Sequence, residues 1–388
     1  MESYLIKDAK IYTATNGVIE KGDVLVEDGY IKAVGENIKA DGAEVISAEG
    51  MNLFPGFIDA HCHLGLWEDS IGFEGDDGNE VVDPVTPHLR AIDAINPMDR
   101  CFEEALEGGV TTAMTGPGSA NVIGGQFAII KTCGNCIDDM LVKETAAMKI
   151  AFGENPKRCY SGLNKSPSTR MATAAILRET LFKAKEYYEK VQLAEKEGKD
   201  KPAFDMKMEA LLPVLKKEIP LKAHAHRADD IFTAIRIAKE FDVNLTLDHC
   251  TEGHLIVDEL VRANKPALVG PTFGHRSKVE LKNLSFETPG VLNEAGIKVA
   301  IITDSPVIPL QYLPMCAGMA VRSGMKEEEA LKAITINPAE ILGIDKELGS
   351  IEKGKKADLA LFVGNPMFDV DYKPVMTFID GKIAFQRR

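Results

Sequence analysis

The sequence predicts an α/β protein: a (β/α)8 TIM barrel with a small composite β-sandwich built from both termini. Three observations support this prediction. Both ends of the chain read as short alternating strands broken by glycines, the middle alternates apolar strands with amphipathic helices, and histidines fall at the ends of those central strands. A chain of 388 residues also suits a barrel of about 250 residues with a modest appendage.

Residues 1–52 run through Tyr4-Leu5-Ile6, Lys10-Ile11-Tyr12, Val24-Leu25-Val26 and Ile31-Lys32-Ala33-Val34, punctuated by Gly17, Gly22, Gly29 and Gly35. Period-two alternation between glycines means hairpins. The far end repeats it in Asp358-Leu359-Ala360-Leu361-Phe362-Val363 and Val375-Met376-Thr377-Phe378-Ile379-Asp380-Gly381-Lys382-Ile383. Isolated hairpins are marginal, so the two ends are expected to pair as one sandwich of 1–52 plus 354–388, leaving 53–353 for the barrel. Barrel strands are expected at Phe57-Ile58-Asp59-Ala60, Thr111-Thr112-Ala113-Met114, Ala147-Met148-Lys149-Ile150-Ala151-Phe152, Leu221-Lys222-Ala223-His224, Asn244-Leu245-Thr246-Leu247, Ala267-Leu268-Val269 and Val299-Ala300-Ile301-Ile302. Their alternation with helical segments predicts a parallel sheet. Residues 169–196 and 204–217 carry apolar residues at helical spacing and are expected as outer helices lengthened by an insertion.

Hydrophobic residues at 45% and charged residues at 27% are the balance of a globular chain with a sizeable core. The net charge of −14 argues against nucleic acid and anionic membrane as partners, because both need a basic surface. A small-molecule substrate is expected instead, and a homo-oligomer is compatible with this composition. No stretch reaches the ~18 apolar residues of a membrane span, and residues 1–10 lack a basic region followed by an apolar run, so the expected location is the cytoplasm. The seven cysteines, an odd number, read as reduced thiols. Cys133 and Cys136 form a lone CxxC, which without a second pair is read as two ordinary thiols.

The strongest local signal is the strand ending His61-Cys62-His63. Side chains two apart on a strand share a face, so both imidazoles project into one barrel mouth, where they need several polar partners or a cation. A second strand ends at Lys222-Ala223-His224-Ala225-His226 and the next at Leu247-Asp248-His249. Neutral imidazole is the commonest nitrogen ligand of metals, and catalytic groups of such barrels sit at strand carboxyl ends. His226 shares a face with His224 and is read as a substrate contact. Asp304 follows an apolar strand, where a carboxylate is costly unless it is paired, bound to metal or used as an N-cap. In the company of the histidines it is read as ligand or proton acceptor.

The segment 64–94 is far longer than a median connection of ~4–6 residues and is expected as a lid. The run Glu68, Asp69, Glu74, Asp76, Asp77, Glu80 and Asp83 within it reads as a solvated loop or as selection for a cationic substrate group. Lys157, Arg158 and Arg276 are candidate clamps for a substrate carboxylate.

The order His-x-His, a strand with lysine, then His, His and Asp, framed by a divided sandwich, resembles the amidohydrolase superfamily, its imidazolonepropionase-like members in particular, over nearly the whole chain. Residues 35–56, Ala333-Ile334-Thr335-Ile336-Asn337-Pro338-Ala339 and Gly349-Ser350-Ile351-Glu352-Lys353-Gly354-Lys355-Lys356-Ala357-Asp358-Leu359 extend the likeness beyond the histidines. The resemblance implies one or two divalent metal ions, zinc by expectation, hydrolysing the C–N bond of an amide or cyclic amide with an activated water. It implies that His61 and His63 hold the more buried ion and His224 and His249 the more exposed one, with Asp304 ligating and relaying a proton. Lys149 matches the lysine that is carbamylated to bridge two metals, while Glu154 could supply a bridging carboxylate; Lys149 is preferred. Two other hydrolase readings are a deaminase and a dipeptidase or carboxypeptidase acting on N-blocked amino acids. A binding protein that had lost catalysis would lack ligands, and here all are present.

Overall fold

The computed structural model describes residues 3–69 and 71–387. The outermost residues of the expected sandwich, 1–2 and 388, and residue 70 of the expected lid lie outside the described residues. Five strands open the chain: β1 (Ser3–Tyr12), β2 (Val18–Glu27), β3 (Tyr30–Gly35), β4 (Glu44–Ser47) and β5 (Asn52–Pro55). The central strands are β6 (Phe57–Cys62), β7 (Val110–Thr115), β8 (Ile123–Lys131), β9 (Leu141–Ala151), β10 (Leu221–Ala225), β11 (Leu245–His249), β12 (Ala267–Val269) and β13 (Val299–Ile301). Three more, β14 (Leu359–Val363), β15 (Lys373–Ile379) and β16 (Lys382–Gln386), close it.

The two ends of the chain meet in one eight-stranded sheet, ordered β16-β15-β14-β5-β1-β2-β3 with β4 added to β1. Its seam is an antiparallel ladder that sets Leu359 opposite Pro55 and Phe362 opposite Asn52. Ile6, Ile11, Val24, Val26, Leu53, Leu361 and Phe378 pack together against this sheet. The stretches Tyr4-Leu5-Ile6 and Lys10-Ile11-Tyr12 form a single strand. Asp8 takes φ 62° and the register slips between Ile6 and Ala9, a bulge that keeps both halves paired with β2. Asp380-Gly381, with φ of 47° and 73°, makes the tight turn from β15 into β16.

The second eight-stranded sheet runs β6 to β13 in order and is the barrel-like body of the α/β fold. It departs from the expected all-parallel barrel at β8, which pairs antiparallel with both β7 and β9. The other neighbours are parallel. The physical reason lies in the connections: 116–122 returns the chain without a helix, and antiparallel neighbours need no long crossover. Residues 132–140 make the next turn and carry Cys133 and Cys136, both exposed and free. Outside the sheet, the helix Arg170–Glu197 is capped by Thr169, whose Oγ1 accepts from Ala172 N at 3.1 Å, and ends at Gly198 with φ 63°. Residues 204–217 form two short helices instead of one, Met206–Glu209 and Leu212–Leu215; Pro213 is tolerated because it falls in a first turn. Among the described residues no helix is long and apolar enough to cross a membrane.

Asp59 brings the barrel round on itself. Its Oδ1 accepts from His61 N at 2.9 Å, and its Oδ2 from Thr303 N at 2.9 Å and Thr303 Oγ1 at 2.6 Å. His63 N donates to Ser305 O at 2.7 Å alongside. The end of β6 and the chain beyond β13 are thereby held side by side. Burial pushes the Asp59 carboxyl up to about 6 despite those donors.

The chain crosses from outer sheet to barrel at Gly56. A Cβ there would lie 2.2 Å from Thr111 Oγ1, so only glycine fits. Tyr12 stacks on Phe54 at 4.4 Å and Phe57 on Phe362 at 6.2 Å across this junction. Beside them Lys131 Nζ donates to Asp358 Oδ2 at 2.7 Å, with both side chains buried. Lys131→Met would leave the Asp358 carboxylate buried without its cation and is expected to lower unfolding free energy by about 3–5 kcal/mol. Denaturant melts of Lys131→Met and of Lys131→Met with Asp358→Asn check this: the double variant should recover part of the loss. A single-variant loss under ~1 kcal/mol, the range of exposed pairs, would remove the pair from the junction's supports.

Candidate metal centre

The barrel strands bring their carboxyl ends to one mouth, and β6, β9, β10, β11 and the residues after β13 each deliver a charged or imidazole side chain to it. Asp304 Oδ1 lies 3.2 Å from both His61 Nε2 and His63 Nε2. The rings are oriented from behind. His61 Nδ1 lies 2.9 Å from Asp248 Oδ2, His63 Nδ1 2.6 Å from Gly116 O, His249 Nδ1 2.7 Å from Gly270 O and His226 Nδ1 2.7 Å from Thr251 Oγ1. A carbonyl can only accept, so in His63 and His249 the proton sits on Nδ1 and the bare Nε2 faces inward; His61 Nε2 faces the donor Lys149 Nζ at 3.4 Å, so it too is the bare nitrogen. That is how ligating histidines are held.

Burial also favours the uncharged form of the rings. Burial brings His61 down to about 4 and His226 down to about 3, and holds His224 and His249 well below the ordinary imidazole range. Each is neutral at physiological pH, the form that binds metal. For Asp304 burial works toward protonation, and the bare Nε2 atoms of His61 and His63 that face its Oδ1 at 3.2 Å offer it no proton. Lys149 is fully buried with Nζ 3.4 Å from His61 Nε2, and burial brings its amine down to about 8. His249 and Asp304 also take φ of 73° and 55°, conformations that cost other-than-glycine residues ~1–3 kcal/mol and gather at functional sites.

These residues fit a divalent cation. Two sets of donors, His224 with His226 and His249, and His61 with His249 and Asp304, have ligand atoms within 4.8 Å of one another. Buried polar atoms without a hydrogen-bond partner collect at the same place: His249 Nε2, Asp304 Oδ1 and Glu280 Oε1, with His61 Nδ1 and Asp248 Oδ2 behind them. Neither donor set includes Glu154. It opens the helix Glu154–Gly162, half-buried, and its backbone N–H donates to Glu280 Oε2 at 2.9 Å.

A cavity of about 550 Å³ opens on the donors, its wall including His63, Trp67, Asn155, Arg158, Lys278 and Asp304. Of the three candidate clamps, Arg158 lies on this wall. Arg276 is turned away, donating to Lys282 O at 2.9 Å and Leu284 O at 3.1 Å, and Lys157 is exposed outside it. Lys278, two residues beyond Arg276, takes the place on the wall. From the long loop 64–94 the wall receives Trp67 and Asn79 but no acid. Glu68 faces Asn96 at 2.6 Å and Asp83 faces Lys207 at 2.5 Å, so the reading of that acidic run as selection for a cationic group gains nothing from the geometry.

Sequence reasoning passes over three residues that this mouth depends on: Asp248, Lys222 and Glu280. Lys222 Nζ donates to Ala60 O at 2.8 Å and lies 3.3 Å from Asp248 Oδ1, all of it buried. Burial works against the Asp248 carboxylate, yet Lys222 and His61 hold it well below the usual range. The available signal was a charged residue next to His249 on a fully buried strand.

Residues 52–384 match the family model described as Amidohydrolase family. The crystal structure of an amidohydrolase from Thermotoga maritima MSB8 is 47% identical, with a TM-score of 0.97, covering 99% of this chain and 100% of that one. The amidohydrolase tasK of Hapsidospora irregularis is 29% identical over 392 residues, 94% of this chain but 40% of that protein, so the chain spans well under half of that relative's length. A dihydroorotase of Acetivibrio thermocellus is 24% identical over 397 residues, 92% of this chain and 88% of that one. A prolidase solved in complex with N-methylphosphonate-L-proline shares the fold, with a TM-score of 0.62 at 16% identity.

The support behind His61 makes a direct forecast. Asp248→Asn removes the charge beside His61 and leaves Lys222 buried without a counter-charge. Metal affinity is expected to fall roughly 10- to 100-fold, the usual cost of losing an outer partner of a ligating histidine, and the melting temperature to fall with it. Unchanged affinity and melting temperature together would show that Asp248 supports neither.

Proposed function

The chain belongs to the amidohydrolase family, and on that premise we propose that it hydrolyses the C–N bond of an amide or cyclic amide that also carries a carboxylate. One observation supports the chemistry above all. Asp304 Oδ1 faces His61 Nε2 and His63 Nε2 at 3.2 Å each, while His63 Nδ1 is given to Gly116 O and His61 Nδ1 lies 2.9 Å from Asp248 Oδ2. Three buried acceptors converging on one point need a cation between them. His61, His63 and Asp304 would hold one divalent ion and His224 with His249 a second; zinc suits such a nitrogen and oxygen donor set. The ion's contribution is to acidify a water and polarise the carbonyl to be attacked.

The chain's own residues move the proton and position the rest. Asp304 accepts the proton of the attacking water and returns it to the leaving nitrogen as the C–N bond breaks. Asp248 and the carbonyls of Gly116 and Gly270 keep the imidazoles in one tautomer throughout. Lys149 is the preferred bridging residue over Glu154: its burial favours the free amine, which adds carbon dioxide and releases a proton to become a carbamate. Arg158 and Lys278 supply cationic charge on the cavity wall for a substrate carboxylate, and Trp67 an apolar face. This favours N-acyl amino acids, dipeptides and acidic cyclic amides. A deaminase is the weaker reading, since it gives the buried Lys149 no task. In this proposal 53–353 is the catalytic barrel and 1–52 with 354–388 the sandwich that supports it. The free state of all seven cysteines supports a reducing compartment, the cytoplasm.

Asp304→Asn tests the proposal. The variant should stay folded and lose turnover by roughly 10²- to 10⁴-fold, the effect of removing a positioned acid–base group. On a panel of N-acyl amino acids and their neutral amides the parent protein should prefer the acids. Turnover near the parent level in Asp304→Asn with metal bound would remove Asp304 from catalysis.

A further inference from the structure

We propose that Glu280 is itself a metal ligand, completing with His224, His226 and His249 a site of three histidines and one carboxylate. The inference rests on the mouth being a metal centre and adds to it a residue from outside the barrel strands. Glu280 sits in the one-turn helix Val279–Leu281, beyond β12, with 1% of its side chain exposed. Its Oε2 is anchored by Glu154 N at 2.9 Å, which leaves Oε1 turned inward without a hydrogen-bond partner.

Distances distinguish ligation from hydrogen bonding. Glu280 Oε1 lies 3.8 Å from both His224 Nε2 and His226 Nε2. Hydrogen bonds between such atoms span about 2.7–3.2 Å, so 3.8 Å to each ring is too long for either. Two ligands each ~2.0–2.2 Å from one tetrahedral ion lie roughly 3.4 Å apart, close to what is seen. His249 offers the third nitrogen: Nδ1 is given to Gly270 O, and Nε2 is buried without a partner. One ring nitrogen from each of His224, His226 and His249 falls within 4.8 Å of the others.

Two competing partners are weaker. Lys278 Nζ stands 3.9 Å from Glu280 Oε1 but donates to Asn155 Oδ1 at 2.7 Å. Asn155 Nδ2 lies 3.4 Å from His224 Nε2, at the limit of a hydrogen bond. The backbone makes room for the carboxylate as well. Gly153 has φ +79°, and a Cβ there would stand 2.7 Å from Glu280 Oε2. His226 thus moves from the substrate contact expected from sequence to a ligand.

The test is titration of metal-free protein with Co²⁺ and Zn²⁺, following competition with a chromophoric chelator and the visible absorption of bound Co²⁺. Glu280→Gln keeps the shape and an oxygen that can accept a hydrogen bond, but loses the anionic donor. It should bind one of the two ions at least 10-fold more weakly and change the Co²⁺ spectrum, with the other ion and the melting temperature of the metal-free protein unaltered. His226→Gln removes the opposite donor and should give the same selective loss. Both ions bound with parent affinity in either variant would overturn the four-donor site. A parent protein that binds a single ion, lost in His61→Ala and kept in Glu280→Gln, would overturn it too while leaving the proposed hydrolase standing. Absence of metal binding by the parent would overturn both.

Discussion

The barrel mouth buries more acceptors than protons can reconcile, and much of the surrounding structure answers to that constraint. His61 and His63 present bare nitrogens to the same carboxylate oxygen of Asp304 at 3.2 Å. Left alone, such a cluster would be destabilising by several kcal/mol, because a buried charge or polar atom without a partner forfeits its hydration. The protein neutralises what it can with its own groups: Lys222 meets Asp248 at 3.3 Å, and Thr303 and the His61 N–H meet Asp59. What remains, Asp304 and the inward nitrogens, is the part that a divalent cation satisfies.

The antiparallel strand β8 belongs to the same logic. Because β7 returns through 116–122 and not through an outer helix, this short connection passes across the mouth. It supplies Gly116 O to His63 at 2.6 Å and Ser119, which accepts from Asn155 at 2.7 Å. A regular crossover helix would have carried those groups to the outside of the barrel. At the opposite end of β8, Lys131 locks onto Asp358 from the C-terminal strands, so the connection into this strand orients a mouth histidine while the strand's far end ties the barrel to the outer sheet.

What was legible in the sequence was what repeats locally. His61-Cys62-His63 and His224-Ala225-His226 are visible because side chains two apart on a strand share a face, and His249 and Asp304 because each ends a run of apolar residues. The pairing of the two chain ends followed from hairpins that cannot stand alone. β8 escaped notice because Gly124 and Gly125 dilute its pattern and only the one-turn helix Ile137–Met140 separates it from β9. Glu280 and Lys278 lie in an irregular segment after β12, where no periodicity says which of Arg276, Lys278 and Glu280 turns inward; only the tertiary path decides. Asp248 was visible, but its task depends on His61, which arrives from a strand far away in the chain.

Everything functional in this reading depends on a cation sitting among those side chains. Anomalous diffraction from crystals of the metal-loaded protein, collected on either side of the zinc absorption edge, locates such ions without reference to activity. Peaks are expected inside the barrel mouth, one bounded by His61, His63 and Asp304 and one by His224, His226 and His249. Ions found only elsewhere on the molecule, with the mouth empty at saturating zinc, would contradict it.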